Sequence, residues 1–492
     1  MNIAIIVAYF FCLSFVLVYA LAQLYLVVLY TRRKKPPKMN WENGRTFPHV
    51  TVQLPIFNEK YVIARLIEAV TKFDYPKDKL EIQILDDSTD ETVELVAGIV
   101  TKLQGQGFDI QHITRSKNID YKAGALHHGM QTAKGDYMVI FDADFVPKPH
   151  FLKTTLPYFD NPKIGMVQSR WGHLNLHYSL ITKLQAYALN AHFTVEQGGR
   201  NAFGHFINFN GTAGIWRREA ITESGGWQGD TLTEDLDLSY RAQLDGWKFI
   251  FLEDLVSPAE LPAEMNALKS QQFRWAKGPA QCVRKNLGNV LKASTVSLST
   301  KLNAVFHLLN SFSWLCVYGS GLLLPPFLYV MHSDPSLQPL GAIFNVFHIS
   351  FFGLMIFYII ANRGLILKTW KDYLAFAFHY PAFISLSMGI SLFNASGVVE
   401  GYLGKQSSFV RTPKFNLVDK ADRIKGKAYI KTRFNLISVL ELLSFFYVLG
   451  GVWLSIELQQ YMATPFLAMM AIGFGVVFVM SYITLPRSKN IT

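Results

Sequence analysis

The chain has 492 residues, of which 50% are hydrophobic and only 17% charged, whereas a soluble protein carries about 25% charged residues. This composition excludes a small soluble domain and a disordered protein, and three cysteines are too few for a disulfide-stabilised secreted scaffold. The net charge of +11 would suit nucleic acid, but in a membrane protein it more often reflects basic cytoplasmic loops. We therefore expect a membrane protein without a nucleic-acid partner.

The first predicted element is an uncharged apolar run from Ile3 to Leu29, which is long enough to cross a bilayer core of about 30 Å. A basic run occupies residues 31–38, no positively charged segment precedes the apolar run, and no small-residue cleavage site follows it. The pattern predicts that residues 1–38 form an uncleaved signal anchor with its N terminus outside and a basic flank inside.

Residues 39–300 have the pattern of a cytosolic α/β domain, with interface helices at its end. Short β-rich runs alternate here with amphipathic helical ones, which predicts a mostly parallel sheet covered by helices on both faces. The runs that we predict as strands are 49–54, 80–85, 137–141 and 164–168.

Four more apolar runs follow, and they predict two helices within 301–362 and two within 434–492, before a short C-terminal tail. These runs are Leu302–Val330, Gly341–Ala361, Phe434–Ser455 and Thr464–Leu485. With the anchor, they give five crossings and a C terminus on the cytoplasmic side. Such a multi-pass protein would reside in a bacterial inner membrane or a Golgi-type membrane.

The stretch Tyr373–Leu392 is also apolar enough to cross, but its crossing would export the many lysines and arginines between Lys405 and Arg433. Because such export violates the positive-inside rule, we place Tyr373–Gly401 in the cytoplasmic interface as one or two amphipathic helices. Residues 363–433 then form a cytosolic interface helix and a basic loop.

A buried carboxylate is predicted at Glu441, inside the fourth span. On insertion scales, a charge at the centre of a membrane helix costs about 2.5–3.5 kcal/mol, so this group must face protein or a watery cavity. It could line a polymer channel or form a bond between helices, and the sequence leaves both open.

Acidic clusters follow the predicted strands, where an open α/β sheet places its active site. These clusters are Asn58-Glu59, Asp86-Asp87, Asp142-Ala143-Asp144 and Thr233-Glu234-Asp235. Two carboxylates two residues apart on an extended segment point to one face, and such a pair suits Mg²⁺ together with substrate phosphate. The alternatives are a simple turn at Asp142 and a helix cap at Thr233.

The next motif is Gln271-Gln272-Phe273-Arg274-Trp275. Arginine presents a planar charged fork suited to phosphate, and tryptophan offers a flat face on which a sugar ring stacks. An anchor at the membrane interface is the alternative for Trp275. No Walker loop or Gly-x-Gly-x-x-Gly fingerprint occurs, so ATPase and dinucleotide-binding functions are disfavoured.

The order Asp-Asp, Lys122-Ala123-Gly124, Asp-x-Asp, Thr-Glu-Asp and Gln-Gln-x-Arg-Trp resembles the processive family 2 glycosyltransferases. Within that family the chain is most similar to cellulose-synthase-like proteins, especially the plant mannan and glucan backbone synthases. The segments 209–214 and 246–249 match that group too, and the resemblance is strong over 50–287. It implies a GT-A fold, an α/β Rossmann-like domain that binds a nucleotide sugar, joined to a transmembrane helical bundle with amphipathic interface helices.

The resemblance also implies roles for individual residues. Donor-binding residues are Asp86, Asp87, Lys122, Asp142, Gln271 and Arg274. Mg²⁺ or Mn²⁺ would bind Asp142 and Asp144, and the catalytic carboxylates are Asp235, as general base, and Glu234. Acceptor-binding residues are Trp275, Gln272, Asn210, Gly211 and Thr212, although the last three could form only a turn.

A basic segment before the fourth span resembles the gating loop of cellulose synthases, although Arg411 replaces a valine. Its residues are Phe409, Arg411, Thr412 and Lys414. Contact with anionic lipid is the alternative for these charges.

These roles predict an inverting hexosyltransferase that adds sugar to the end of a growing β-linked polysaccharide and translocates the product. UDP-glucose is the expected donor because it is the commonest in the wider family, and GDP-mannose is possible. A transferase acting on diacylglycerol or ceramide is the alternative, and a non-catalytic transporter or receptor a remote one. The expected partners are a nucleotide-sugar donor, a glycan or lipid acceptor and the bilayer, while accessory proteins stay open.

Overall fold

The computed structural model describes residues 2–41, 44–407, 410–419, 421–422 and 436–482. Its β-strands belong to one seven-stranded sheet in the order β3-β2-β1-β4-β6-β5-β7. The strands are β1 (Val50–Ile56), β2 (Leu80–Asp86), β3 (Asp109–Thr114), β4 (Tyr137–Ile140), β5 (Ile164–His173), β6 (Gly214–Arg217) and β7 (Lys248–Ala259).

The helices of the α/β domain and its C-terminal interface are α2 (Ile63–Thr71), α3 (Thr92–Gln104), α4 (Tyr121–Thr132), α5 (Phe151–Thr155), α6 (Leu180–Ala191), α7 (Gln197–Ala202), α8 (Arg218–Glu223), α9 (Glu234–Leu244) and α10 (Met265–Lys292). The apolar helices are α1 (Asn2–Arg32), α11 (Leu298–Leu308), α12 (Phe312–Ser333), α13 (Phe344–Asn362), α14 (Trp370–Gly389), α15 (Ser391–Tyr402), α16 (Leu436–Glu457) and α17 (Thr464–Tyr482). A π-helical turn, His192–Glu196, joins α6 to α7.

The sheet is mostly parallel, as predicted. Strands β3, β2, β1 and β4 are parallel neighbours, whereas β6 runs antiparallel to β4 and β5, and β7 is parallel to β5. The four predicted strands coincide with β1, β2, β4 and β5. Because the carboxyl ends of β1, β2 and β4 meet at one edge, the loops after them form a single cleft.

Alternating side chains of the central strands pack into two apolar layers, one on each face of the sheet. In β4, Val139 joins the layer that contains α2 and α3, while Met138 and Ile140 join the layer that contains α4 and α9. The predicted helical cover on both faces is therefore confirmed.

Within the described residues, five helical segments are long and apolar enough to cross a membrane. They are Asn2–Arg32, Leu298–Ser333, Pro335–Asn362, Leu436–Glu457 and Thr464–Tyr482. These segments coincide with the five predicted spans, whose orientation and domain boundaries stay predictions.

Helices α14 and α15 form a pair bent by 46°, which counts as a further candidate span or as a re-entrant segment. Phe376 of α14 packs edge-on against Tyr187 of α6, with ring centroids 5.1 Å apart. Gly401 of α15 packs on Ala280 of α10. Both ends of the pair thus contact the α/β domain, an arrangement compatible with the expected interface position.

Candidate functional site

The loops at the carboxyl ends of the strands enclose a cavity of about 280 Å³. It brings together predicted residues that lie far apart in the sequence. Those lining it are Asp87, Lys122, Asp142, Asp144, Asn210, Gly211, Glu234, Asp235, Gln271, Arg274, Trp275, Arg411, Thr412 and Lys414. We call this space the donor cavity.

The early aspartate pair divides into one group that lines the cavity and one supporting group. Asp87 lines the donor cavity, and Arg115 donates to both of its oxygens at 3.0 and 2.5 Å. Asp86 is buried behind it, 2.8 Å from His112 Nε2, and accepts from the Ser88 N–H at 2.8 Å. Although burial opposes it, hydrogen bonding to His112 and Ser88 lowers the pKa of Asp86 below its usual value.

Both carboxylates of the Asp-x-Asp motif line the donor cavity, and each is paired with a lysine. Lys122 forms an ion pair with Asp142 and donates to the Gly211 carbonyl at 2.9 Å. Asp144 accepts from Lys414 Nζ at 2.7 Å and from the Glu260 N–H at 3.0 Å. Although burial opposes it, the negative charge of Asp142 raises the pKa of Lys122, so this lysine stays a cation.

The side chains that could act as metal ligands fit a divalent cation only in part. In the described portion of the chain, no group of three or more His, Cys, Asp or Glu side chains is arranged to hold a metal ion. The Asp142 side chain is 37% exposed and that of Asp144 only 6%. Since Mg²⁺ is usually held by one or two carboxylates plus substrate phosphates, Asp142 suits a cation that arrives with a diphosphate.

Asp235 lies in the first turn of α9, where its Oδ1 accepts from the Leu236 N–H at 2.8 Å. Thr233 occupies the cap position, but its side chain makes no capping bond and lies 3.5 Å from Cys282 Sγ. Burial and the neighbouring Glu234 raise the pKa of Asp235 to about 8, and burial also raises the pKa of Glu234. A carboxyl group tuned near neutrality is suited to general-base chemistry.

The loop 208–213 forms a turn and also borders the site. Gly211 has φ +75°, and a Cβ added there would lie 3.0 Å from Asp235 Oδ2. Asn210 lines the donor cavity. Thr212 is fully buried, and its hydroxyl accepts from the Asp142 N–H at 2.8 Å, so it supports the Asp-x-Asp motif from behind.

Gln271, Arg274 and Trp275 share one face of α10 because they are three and four residues apart. Arg274 donates to Thr412 Oγ1 at 2.8 Å and to the Val410 carbonyl, and burial lowers its pKa to about 10. Trp275 lies near Trp171, with ring centroids 6.4 Å apart. This face therefore presents a cation and aromatic rings to the cavity.

The segment 410–418 lies along the donor cavity, and Phe409 lies outside the described residues. Arg411 donates to both oxygens of Glu59 at 2.8 and 2.9 Å. The carboxylate of Glu260 accepts from the backbone N–H groups of Phe415 and Leu417 at 2.8 and 3.2 Å. The segment thus contacts the Asp-x-Asp motif, Arg274 and the loop after β1.

Several contacts of the site were not predicted from the sequence. Arg115 and Glu260 belong to none of the motifs, and only the fold places them beside Asp87 and Lys414. Glu59 lies in a recognised acidic cluster, but its partner Arg411 is 352 residues away. Burial raises the pKa of Glu59 to about 8, even though Arg411 opposes the shift.

A second cavity, of about 460 Å³, extends from the site among the apolar helices. It shares Trp171, Asn210, Asp235, Gln271 and Trp275 with the donor cavity, and Gln272 lines only this second space. Its helical lining includes Tyr19, Trp314, Ser350, Ser387 and Phe466. We call it the helix cavity.

Glu441 is absent from the residues that line the helix cavity. It forms an ion pair of 2.5 Å with Lys269 of α10, and the two side chains are 0% and 5% exposed. Of the two open possibilities, the structure therefore supports a bond between helices.

Comparison with known proteins places this geometry in context. The chain is 42% identical over 303 residues to glucomannan 4-beta-mannosyltransferase 7 of Arabidopsis thaliana, covering 58% of this chain and 54% of the relative. It is 41% identical over 266 residues to glucomannan 4-beta-mannosyltransferase 1 of Oryza sativa subsp. japonica, covering 53% of this chain and 51% of the relative. The chain spans about half the length of the curated relatives it matches.

Among solved structures, a mannosyltransferase from Pyrobaculum calidifontis, in complex with GDP-Man and Mn²⁺, aligns with a TM-score of 0.52 at 17% identity. The alignment covers 82% of this chain and 99% of that one and shows a shared GT-A fold. Residues 48–278 match the family described as glycosyltransferase like family 2. This range contains the predicted donor, base and Arg-Trp residues from Asp86 to Trp275, and it forms a family 2 glycosyltransferase domain.

Proposed function

We propose that the chain is a membrane-integral, inverting mannosyltransferase that elongates a β-linked glycan with GDP-mannose as donor. The observation that carries this proposal is the meeting of Asp87, Asp142, Arg274 and Asp235 in one cavity that continues into the helix cavity. The names of the relatives favour mannose, and the expected preference for UDP-glucose has no support among them.

On this proposal, the donor lies across the carboxyl ends of the strands. Asp87, oriented by Arg115, contacts the nucleoside, and Arg274 contacts the diphosphate. Asp142, with Asp144 behind it, would hold Mg²⁺ or Mn²⁺, which offsets the charge that develops on the leaving diphosphate. Lys122 adds a fixed cation at the same place because it lies between Asp142 and the Gly211 carbonyl.

The transfer step needs one base on the acceptor side. Asp235 accepts the proton of the attacking sugar hydroxyl, whose oxygen bonds to the anomeric carbon as the bond to the diphosphate breaks. One displacement inverts the anomeric configuration, so an α-linked nucleotide sugar yields a β-linked product. Trp275 supplies the stacking face for the acceptor sugar.

We also propose that the product passes into the helix cavity and is translocated. Trp275, Gln271 and Asp235 line both cavities, so an acceptor seated at the base is already at the entrance. This route places the α/β domain in the cytosol, with the N terminus outside and the C terminus inside. Cysteines introduced at exposed Ser336 and Lys34 test the orientation, because only the first should react with an impermeant reagent outside.

The segment 410–418 is proposed to act as a gate. Lys414 holds Asp144 and Thr412 holds Arg274, so the segment engages groups assigned to the cation and the diphosphate. Donor binding would require these contacts to rearrange. Lys414→Ala is expected to change the KM for donor more than the KM for acceptor.

The test uses full-length protein in detergent with Mg²⁺ or Mn²⁺, a β-linked oligosaccharide and either GDP-mannose or UDP-glucose. The expected result is GDP release with growth of an alkali-stable oligosaccharide. Asp235→Asn should abolish transfer while still binding GDP-mannose, and this distinguishes base loss from misfolding. Turnover with UDP-glucose alone, or a product extracted with lipids, would contradict the proposal.

A further inference from the structure

His192 contacts both the loop beside Asp235 and a buried ion pair that Glu196 and Arg200 form close to it in the sequence. Its Nε2 lies 2.7 Å from Asn210 Oδ1, and its Nδ1 lies 2.9 Å from Glu196 Oε2. The ring therefore spans the space between the loop and a carboxylate that is only 8% exposed. The assigned roles of the site do not use these contacts.

Glu196, which anchors the ring, is buried and lies among charged groups. Arg200 NH1 lies 3.6 Å from the same Glu196 oxygen, and the Arg200 side chain is 4% exposed. Despite the opposing effect of burial, Arg200 and His192 lower the pKa of Glu196 to about 2, so the carboxylate stays ionised. An ionised, desolvated carboxylate holds its hydrogen-bond donor strongly.

His192 and Glu196 begin and end the π-helical turn between α6 and α7. Turns of this kind inside helices are frequent at functional sites, because the extra residue re-aims side chains. The next residue, Gln197, donates from Nε2 to the Asn208 carbonyl at 2.7 Å. The turn thus holds the loop at Asn208 and at Asn210.

The loop so held is next to the base. Asn210 lines both cavities, Gly211 approaches Asp235 Oδ2, and His192 and Glu196 line the helix cavity, on the acceptor side. We propose that His192, anchored by Glu196, is a positioning residue that orients Asn210 toward the acceptor sugar next to Asp235. This inference rests on the proposed function, and it identifies which part of that function the π-helical turn serves.

The proposal predicts separate effects on the two reactions of the donor. Hydrolysis of GDP-mannose by water does not need an ordered sugar acceptor, whereas transfer does. Because misplacing a reacting group by about 1 Å costs on the order of 100-fold in rate, His192→Ala should reduce transfer to an oligosaccharide by about 10- to 100-fold. Hydrolysis without acceptor should change little, and the KM for acceptor should rise while that for donor does not.

Further variants make the assignment specific. Asn210→Ala should match His192→Ala, and the double variant should be no worse than Asn210→Ala, since both residues act along one path. His192→Gln, whose amide N–H can still reach Asn210, should restore part of the ratio of transfer to hydrolysis. His177→Ala, an exposed histidine outside both cavities, is the matched control.

An unchanged ratio of transfer to hydrolysis in His192→Ala, whether both rates fall equally or neither falls, would overturn the proposal. An equal fall of both rates would show that His192 has a merely structural role. If GDP-mannose is not the donor, the wild-type protein will not release GDP from it, so this failure is detected separately. The ratio in His192→Ala, measured with whichever nucleotide sugar is turned over, still decides the role of His192.

Discussion

At the scale of single residues, the proposed base, Asp235, owes its chemistry to the groups around it. Asp235 and Glu234 are consecutive carboxyl groups that line the donor cavity together with Lys122 and Asp142. Removing water disfavours the charged form of each, and the two negative charges oppose each other. The pKa of Asp235 therefore rises to about 8, within the range where a general base is most effective.

This shift predicts how the rate depends on pH. A carboxyl group with a raised pKa is protonated below that pKa, and only the carboxylate accepts a proton. We expect kcat/KM for transfer to rise about tenfold per pH unit below pH 8 and to level off above it. Glu234→Gln removes the adjacent charge and should move the rising part of the profile to lower pH; an unmoved profile would contradict the coupling.

Gly211 provides a second prediction for a single residue. Gly211→Ala places a methyl group 3.0 Å from Asp235 Oδ2 on backbone at φ +75°. Gly204→Ala has a similar φ of +70° with no atom within 4 Å of the added carbon, so it measures backbone strain alone. Gly211→Ala should lower kcat well below the Gly204→Ala value at similar melting temperatures; equal kcat values would exclude the steric effect.

At the scale of secondary-structure elements, α10 connects the residues of the donor cavity to the apolar helices. Its first half presents Gln271, Arg274 and Trp275 to the donor cavity. On another side, Lys269 pairs with Glu441 of α16 and lies 5.0 Å from the ring centroid of Phe393. We therefore expect a displacement of α16 to be transmitted through α10 to Arg274 and Trp275.

The Lys269–Glu441 pair yields a stability prediction. Removing one partner leaves a buried charge unpaired, at a cost of about 3–5 kcal/mol, whereas replacing both by apolar groups is often neutral. Lys269→Ala should clearly lower the melting temperature in detergent, and Lys269→Met combined with Glu441→Leu should recover most of it. Lys72→Ala, which breaks the exposed Glu68–Lys72 pair, is the control and should have little effect. A small effect of Lys269→Ala would exclude a structural pair.

At the scale of the whole molecule, the two cavities join the α/β domain to the helical bundle. The shared lining at Asn210, Asp235 and Trp275 makes the acceptor side of the donor cavity the mouth of the helix cavity. On the proposed function, this continuity lets the end of the glycan stay bound while the product enters the helix cavity.

Blocking the helix cavity tests that connection. Ser350 of α13 is buried in its lining, while the preceding Ile349 is 56% exposed on the outer side of the same helix. Ser350→Trp should shorten the products while the initial rate of nucleotide release is retained, because only elongation needs the space. Ile349→Trp should give products of wild-type length. Long products from Ser350→Trp would rule out this route.

The sequence by itself determined the α/β class, the five apolar spans and the motif residues. Hydrophobic periodicity and run length are local properties, so β1, β2, β4 and β5 and the spans were readable directly. The motifs were readable because their spacing in the chain is distinctive. Strand β6 was less evident, because four residues running antiparallel inside a mostly parallel sheet leave little pattern.

Only the tertiary structure decided which of these residues line the donor cavity, which support them from behind and which pair with each other. It separated Asp87 in the cavity from Asp86 behind it, placed Thr212 beneath Asp142, and paired Glu59 with Arg411 across 352 residues. It also joined His192 to Asn210 through a π-helical turn. The physical reason is that burial and long-range charge pairs depend on chain closure in three dimensions, which no local pattern in the sequence specifies.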